Sequence, residues 1–315
     1  GSRLRPHTLT VPKPLVHVGG KPIVHRLVQD IAEMCEEKID EIAFIVGDFG
    51  DEVEQELMHV AKQLNAKGSI FYQEEPLGTA HAVLCAEEKL EGPVIVAFSD
   101  TLFKAEFKIS DKQEGIIWVK QIEDPSAFGV VQLNHSGTIT DFVEKPKEFV
   151  SDLAMIGIYY FRSGEDLKKE LNYLIDNDQK KGGEYQLPDA LRRLTEKGTC
   201  FVPGKVSAWL DCGNKRVTVE TNHQVLNFEN EKGKNLVDET AEITDSIILQ
   251  PCFIGEGAKI SRSVVGPNVS VGENDADLEV FLTDSNGLKV SRKSHMSYYS
   301  ENDNEYYRLA RELDN

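Results

Sequence analysis

The stretch Pro93-Val94-Ile95-Val96-Ala97-Phe98 is an unbroken apolar run that ends on Ser99-Asp100. Such a run, bounded by turn residues, is typical of a strand buried on both faces of a parallel sheet. Ile42-Ala43-Phe44-Ile45-Val46 has the same character, and Ser69-Ile70-Phe71-Tyr72 predicts another strand. Helices are predicted between these strands and before them, over 22–38, 51–65 and 79–90. This alternation predicts βαβ units and a Rossmann-like, doubly wound α/β sheet.

The pattern changes after residue 113, where shorter strands alternate with turns such as Asn134-His135-Ser136-Gly137. These strands predict antiparallel insertions that form a wall beside the ligand site, so the whole sheet is expected to be mixed. In open α/β sheets, ligands bind beyond the carboxyl ends of the strands. The predicted strands are 115–119, 128–133, 139–143 and 156–161, and further helices are predicted over 164–176, 186–196 and 215–228.

The C-terminal third has a different repeat. Ile254-Gly255-Glu256-Gly257-Ala258-Lys259 and Val265-Gly266-Pro267-Asn268-Val269-Ser270 each place an aliphatic residue before glycine in a six-residue step. This pattern indicates a short left-handed parallel β-helix whose rungs bury aliphatic side chains. We therefore expect three segments: a catalytic domain over 1–232, a partial β-helix over 233–275, and an irregular tail with a short helix over 276–315.

Composition narrows the class of protein. Acidic residues number 53 and basic residues 35, so the formal net charge is −18, which disfavours binding to nucleic acid or to anionic membranes. No apolar run approaches the length of a membrane span, and no secretory signal is visible. The five cysteines are scattered and lack a C-x-x-C pair, which indicates a reduced, cytoplasmic protein.

The opening stretch Gly1-Ser2-Arg3-Leu4-Arg5-Pro6 combines small residues with guanidinium groups, and Lys13 follows it. Small residues let backbone N–H groups approach a polyanion, while arginine and lysine supply charge that can grip phosphate. An ordinary basic N-terminus is the alternative for this stretch taken alone.

Two aspartates end predicted strands far apart in the chain. Asp100 follows the apolar run 93–98, and Asp211 lies in Ala208-Trp209-Leu210-Asp211-Cys212-Gly213. Two carboxylates that converge from separate strand ends can hold Mg²⁺, which keeps several waters and binds substrate phosphates. The alternative for either residue alone is a turn former or helix cap.

The segment from Gln73 to Ala82 follows a strand and opens a helix. A side-chain amide can pair with a base edge, and a helix N-terminus offers N–H groups. The alternative is a plain strand-to-helix turn in which Thr79 acts as the cap.

Taken together, these motifs resemble the sugar-phosphate nucleotidyltransferases, whose signature is G-x-G-[ST]-R-L-x-P followed by P-K-[PQ]-L. The match covers residues 1 to about 215, beginning with Gly1-Ser2-Arg3-Leu4-Arg5-Pro6 and Pro12-Lys13-Pro14-Leu15. In that family an apolar strand and a further glycine precede the loop, so the chain is expected to begin inside a longer protein. Ser99 also stands where the family usually has glycine.

The resemblance implies roles for individual residues. Arg3 and Lys13 would neutralise a triphosphate, Asp100 and Asp211 would bind Mg²⁺, and Lys145 of the E-K-P motif would hold the sugar phosphate. The nucleotide would be bound through Gly1, Ser2, Gln73, Gly78 and Thr79. The sugar would be bound through Gly129, Glu144, Lys145, Gly157 and Glu184.

The implied activity is transfer of a nucleotidyl group from a nucleoside triphosphate to a sugar 1-phosphate, with UTP or dTTP favoured by the Gln73 segment. The alternatives are a mannose-1-phosphate guanylyltransferase and a non-catalytic relative of the translation-factor subunit type. A further alternative is an enzyme disabled by loss of the first strand. The expected partners are the two substrates, without nucleic acid or membrane, and a homo-oligomer is compatible with the sequence.

Overall fold

A computed structural model describes residues 12–105, 108–109, 112–233, 236–244, 246–248, 251–261, 264–265, 270–272, 280–281 and 289–290. The chain divides into two compact units. The first combines Gly1–Ile23 with Leu210–Asn315, and the second is Val24–Trp209. In the described part of the chain, no helix is both long and apolar enough to cross a bilayer.

The second unit alternates helices and strands through its first half and becomes strand-rich after residue 113. Its helices are α1 (Ile23–Met34, starting at the last residue of the first unit), α2 (Asp51–Gln63), α3 (Thr79–Leu84), α4 (Gly164–Asp176) and α5 (Leu187–Glu196). Its strands are β3 (Glu41–Val46), β4 (Lys67–Tyr72), β5 (Val94–Ala97), β6 (Thr101–Lys104), β7 (Gly115–Gln121), β8 (Gly129–Leu133), β9 (Ile139–Glu144), β10 (Leu153–Phe161) and β11 (Phe201–Lys205), and β12 (Ala208–Asp211) continues into the first unit.

A six-stranded mixed sheet forms the centre of the second unit. Five strands follow the order β11-β7-β10-β8-β9, and β5 pairs with β10. β10 runs antiparallel to β5, β7 and β8, whereas β11 runs parallel to β7. β3 and β4 form a parallel pair of their own. The prediction of a mixed α/β sheet is confirmed.

The antiparallel strands are part of the central sheet. β10 pairs directly with β5 and lies between β5 and β7, and the predicted wall beside the ligand site stays a prediction. The reason for this place in the sheet is the composition of β10, which is apolar at eight of its nine positions and mostly buried. A strand of that kind is stable in the middle of a sheet rather than at its rim.

Helices α4 and α5 cover this sheet. On α5, Leu187, Ala190, Leu191 and Leu194 recur at helical spacing and are all buried. Each buried leucine contributes roughly 1.5–3 kcal/mol relative to an exposed one. Ser163 caps α4, since its Oγ accepts the Asp166 N–H at 3.1 Å. The helix predicted over 79–90 is shorter than expected: α3 ends at Leu84, and a separate 3-10 turn covers Glu87–Lys89.

The first unit begins with a 3-10 turn at Lys13–Leu15 and a two-stranded hairpin of β1 (His17–Val18) and β2 (Lys21–Pro22). It continues with α6 (Lys215–Glu231), whose N-cap Asn214 accepts the Val217 N–H at 3.3 Å. The remaining strands are short: β13 (Glu242–Thr244), β14 (Ile247–Ile248), β15 (Phe253–Ile254), β16 (Lys259–Ser261), β17 (Val264–Val265), β18 (Ser270–Val271), β19 (Val280–Phe281) and β20 (Lys289–Val290).

Three of these C-terminal strand pairs are parallel and share one offset. β13 pairs with β16, β14 with β17 and β15 with β18, and each pair joins residues 17 positions apart, as Glu242 and Lys259 are. Between them they bury Cys252, Ile254, Ala258, Ile260, Val265 and Val271. The predicted aliphatic residues Ile254, Ile260, Val265 and Val271 are therefore internal, while the left-handed β-helix itself stays a prediction.

Candidate active site

The loop Gln73–Thr79, called the Gln73 loop below, is fixed by backbone contacts at both ends. Gln73 donates its N–H to the last residue of β3 over 2.8 Å. Gly78 has φ +110°, and a Cβ there would lie 2.4 Å from the carbonyl oxygen of Tyr185. Tyr185 donates its N–H to Leu77 and accepts the N–H of Ala80, at 2.8 and 2.9 Å. Only glycine permits this close approach, so the Gln73 loop lies directly against Tyr185.

Thr79 joins the same two segments through its side chain. Its Oγ1 accepts the Leu187 N–H at 2.9 Å and donates to Gln186 Oε1 at 3.4 Å. The N-cap of α3 is Gly78, which has no side chain to accept a hydrogen bond. The Thr79 hydroxyl therefore caps the first turn of α5, and the alternative in which Thr79 caps its own helix is wrong.

Asp100 and Glu144 share a buried neighbour, Tyr159. Burial raises the pKa of the Tyr159 hydroxyl, and the charges of Glu144 and Asp100 raise it further. Two charges that lie 44 residues apart in sequence thus both act on the Tyr159 hydroxyl. These three residues are called the Tyr159 cluster. Gly157 borders it, with φ +87° and its carbonyl accepting the Phe98 N–H at 2.9 Å.

Strand register explains the position of Glu144. It is the last residue of β9 and stands opposite Gly129 at the start of β8. A Cβ at Gly129 would lie 2.7 Å from Glu144 Oε2 and 2.4 Å from Met155 Cε, so the carboxylate occupies space that any other residue would fill. Burial is the largest influence on Glu144 and raises its pKa above the ordinary value. The Lys145 charge opposes this rise, while Asp189 adds to it.

Lys145 has an unusual backbone. Its φ is +44°, in the left-handed region that few residues other than glycine adopt, and Pro146 follows it. The Lys145 N–H donates to Phe128 O over 3.1 Å, which holds the turn. The Lys145 ammonium is 67% exposed and lies 3.8 Å from Glu144 Oε1. Backbone strain of this kind concentrates at functional sites.

Glu184 lies beside the Gln73 loop. Its Oε2 accepts Gln186 Nε2 at 3.0 Å, and its Cβ would be 2.9 Å from a Cβ placed at Gly78. The backbones of Glu184 and Lys181 exchange hydrogen bonds of 2.9 and 3.2 Å. The Lys181 charge in turn lowers the pKa of Glu144 against the effect of burial. The Glu184 segment thus lies against the Gln73 loop and carries, at Lys181, a charge that acts on Glu144.

An ionic network that the sequence analysis did not predict joins α5 to β9, the strand that ends at Glu144. Arg192 donates to Asp189 Oδ1 at 2.9 Å and to Asp141 Oδ1 at 3.0 Å, and it also bonds the carbonyl of Phe142. Lys181 makes a second ion pair with Asp189. The contact between Asp189 and Arg192 could have been predicted, because residues three apart on a helix are neighbours. The contact with Asp141, which is 51 positions away, had no sequence signal.

The remaining predicted site residues belong to the first unit. Lys13 opens the 3-10 turn, in which Leu15 N–H donates to Pro12 O at 2.9 Å. Asp211 ends β12, and its Oδ1 accepts the Gly213 N–H at 2.6 Å. Gly1, Ser2 and Arg3 lie outside the described residues. Convergence of Arg3, Lys13 and Asp211 on Asp100 therefore stays a prediction.

Comparison with known proteins identifies the class. The model of the nucleotidyl transferase family matches residues 1–227. A glucose-1-phosphate thymidylyltransferase from Streptomyces antibioticus is 32% identical over 296 residues, covering 87% of this chain and 80% of its own. A mannose-1-phosphate guanylyltransferase catalytic subunit beta from Drosophila melanogaster is 31% identical over 226 residues, covering 69% of this chain and 58% of its own. The chain belongs to the nucleotidyl transferase family.

The fold agrees with this membership. The nucleoside-diphosphate-sugar pyrophosphorylase from Vibrio cholerae superimposes with a TM-score of 0.60 at 21% identity, covering 71% of this chain and 96% of that one. The predicted resemblance to sugar-phosphate nucleotidyltransferases, and with it the assignment to a family of enzymes, is confirmed.

Enzymes of this family use a divalent metal ion. Within the described residues, no group of three or more His, Cys, Asp or Glu side chains is arranged to hold one. The predicted donors are the carboxylates of Asp100, which directly precedes β6 instead of ending β5 as predicted, and of Asp211, which ends β12. That set fits a metal that takes one or two carboxylates and completes its shell with water and substrate phosphate oxygens.

Proposed function

We propose that this protein transfers a nucleoside monophosphate from UTP or dTTP to a sugar 1-phosphate, giving a nucleotide sugar and pyrophosphate. The observation that carries the proposal is the Tyr159 cluster. The charges of Asp100, the proposed metal ligand, and of Glu144, the proposed ligand of sugar hydroxyls, both raise the pKa of Tyr159, which supports a shared site. The 32% identity to a glucose-1-phosphate thymidylyltransferase supports the same substrates.

The proposed roles follow the chemistry of each group. Arg3 and Lys13 neutralise the triphosphate, with backbone N–H groups of Gly1 and Ser2 beside it. Gln73, Gly78 and Thr79 hold the base. Lys145 holds the sugar phosphate as a charged, exposed ammonium. The sugar is bound by Gly129, Glu144, Gly157 and Glu184.

The reaction needs positioning more than acid–base chemistry. A phosphate oxygen of the sugar 1-phosphate is already ionised at neutral pH and attacks the α-phosphorus in line. A new P–O bond forms there, the bond to the bridging oxygen breaks, and its electron pair leaves with pyrophosphate. Two anions must approach each other, so Lys145 and Lys13 accelerate the step by holding them together and offsetting their repulsion.

Mg²⁺ is the proposed metal, with Asp100 and Asp211 as its protein ligands. When bound, it would neutralise charge on the triphosphate oxygens. The chain's own contribution is this pair of carboxylates, which sets where the ion would be held.

We further propose the division into a catalytic domain over 1–232, a partial left-handed β-helix over 233–275 and a tail over 276–315. The three parallel strand pairs with one 17-residue offset support the β-helix. Five free cysteines support a cytoplasmic location. A homo-oligomer without nucleic-acid or membrane partners completes the proposal.

The test is pyrophosphate release with Mg²⁺ across a grid of UTP, dTTP, GTP, CTP and ATP against glucose, mannose and amino-sugar 1-phosphates. The largest kcat/KM is expected with UTP or dTTP. A maximum with GTP and mannose 1-phosphate would favour the guanylyltransferase alternative, which the 31% identity to such an enzyme supports. No release with any pair would favour the non-catalytic relative.

A further inference from the structure

The Gln73 side chain is held in one orientation by two acceptors. Its Nε2 lies 3.1 Å from the carbonyl oxygen of Gly78 and 3.1 Å from His81 Nδ1. A backbone carbonyl can only accept a hydrogen bond, so the amide nitrogen, and not the oxygen, must face Gly78. That contact removes the ambiguity between the two ends of the amide.

The same contact determines the state of His81. Because the Gln73 nitrogen donates, Nδ1 of His81 must accept, so the neutral ring carries its proton on Nε2. The thiol of Cys85 approaches the same Nδ1 at 4.0 Å, a long contact that suits a weak donor. His81 and Cys85 both lie on the α3 side of the loop and are only partly buried.

Both N–H groups of the Gln73 amide are therefore used inside the protein. Its Oε1, in contrast, accepts no hydrogen bond from the residues that the structure describes. An amide in this state presents a single acceptor to a ligand. Uracil, thymine and guanine carry a proton on the ring nitrogen of the pairing edge, whereas cytosine and adenine carry a lone pair there.

We propose that His81 is a positioning residue for base selection: with the Gly78 carbonyl it turns Gln73 so that Oε1 alone faces the base. With Oε1 opposite the ring nitrogen of the pairing edge, the site accepts bases that carry a proton there and opposes a lone pair to cytosine or adenine. This inference rests on the proposed function in assuming a nucleoside triphosphate donor. A site that hydrogen-bonds a group of the correct substrate can discriminate strongly against an analogue that lacks that group.

The test compares dTTP with 5-methyl-dCTP, which differ only on the pairing edge. In His81→Leu only the Gly78 carbonyl still holds the amide nitrogen, so the amide is less firmly oriented and the ratio of their kcat/KM values should fall by about tenfold, the value of one lost hydrogen bond. In His81→Asn the side-chain Oδ1 stands near the position of Nδ1 and can accept, so most of the wild-type ratio should return. KM for the sugar 1-phosphate should not change.

A matched control is present on α2, where Gln63 Nε2 and His59 Nε2 lie 2.7 Å apart on the exposed surface. His59→Leu breaks a histidine–glutamine contact away from the site and should leave the ratio unchanged. An unchanged ratio in His81→Leu, with both triphosphates slowed equally, would overturn the positioning role while leaving the proposed function intact.

A second measurement needs no variant. ¹⁵N NMR of the histidine rings in the wild-type protein should find the His81 proton on Nε2, and a proton on Nδ1 would overturn the inference. This result does not depend on turnover. Absence of pyrophosphate release with every triphosphate would instead overturn the proposed function, and the two failures are thereby distinguished.

Discussion

The Tyr159 cluster and the Gln73 loop belong to the same unit but are built in different ways. The cluster is placed by strand register, with Glu144 opposite Gly129 and its carboxylate pKa raised by burial. The loop is placed by backbone hydrogen bonds to Tyr185 and by a glycine at φ +110°. The Tyr159 cluster is characterised by its charges, and the Gln73 loop by its fixed backbone conformation. Substitutions in the cluster should therefore alter chemistry and pH dependence, and those in the loop should alter stability and selectivity.

The largest effect is expected from Asp100→Asn. The amide keeps the shape of the carboxylate but removes the charge proposed to hold the metal, so kcat should fall at least roughly 100-fold. Pyrophosphate release at saturating substrates measures this. Asp40→Asn changes an exposed aspartate in the same unit and serves as the control. Unchanged release in Asp100→Asn would remove Asp100 from the site.

Gly78→Ala tests the shape of the loop. A Cβ there meets the Tyr185 backbone at 2.4 Å and also sits at φ +110°, so strain and overpacking add to about 3 kcal/mol of lost unfolding free energy. Gly50 is the matched control, because it precedes α2 with φ +85° and has nothing within 4 Å of the position that a Cβ would take. Gly50→Ala should cost about 1 kcal/mol from strain alone. Equal losses in urea denaturation would show that the contact with Tyr185 is unimportant.

Lys145 allows charge and backbone strain to be separated. Lys145→Ala and Lys145→Gly both remove the ammonium and should raise KM for the sugar 1-phosphate about tenfold, the value of a charge-assisted contact. Glycine also accommodates φ +44°, so the Gly variant should be about 1 kcal/mol more stable than the Ala variant. Different KM values in the two variants would mean that the backbone, and not the charge, binds the substrate.

The smallest effect concerns Glu144→Gln. Burial raises the folded-state pKa of Glu144, so the folded protein binds more protons than the unfolded one between the ordinary value near 4.5 and the raised value. Stability from this group therefore falls as pH rises through that window. The Gln variant should gain stability over wild type across it, and the gain should vanish at lower pH. A stability difference between the two proteins that does not vary with pH would contradict the raised pKa.

Local patterns were sufficient to predict much of the fold. The strand predicted at 93–98 and the helix predicted over 186–196 are both present, with bounds correct within a residue or two. The order of the strands in the sheet was harder to predict. The sequence of Leu153–Phe161 is typical of a buried strand, but it does not indicate which strands pair with it. Only the structure shows that β10 pairs with β5 and lies inside the sheet.

The same limit applies to the site. Asp100 and Glu144 were predicted from short motifs, but Tyr159, which links them, carries no motif and lies in an apolar strand. Thr79 was predicted from its neighbours as a local cap or a ligand. Its structural partner, Leu187, is 108 positions away and could not be inferred from local sequence.

The most direct test of nucleotidyl transfer follows the sugar phosphate itself. With ³²P-labelled glucose 1-phosphate, dTTP and Mg²⁺, the wild-type protein should move the label into a nucleotide sugar and release pyrophosphate in equal amount. Pyrophosphate formed without labelled nucleotide sugar, or no product with any triphosphate and sugar 1-phosphate, would contradict nucleotidyl transfer at this site.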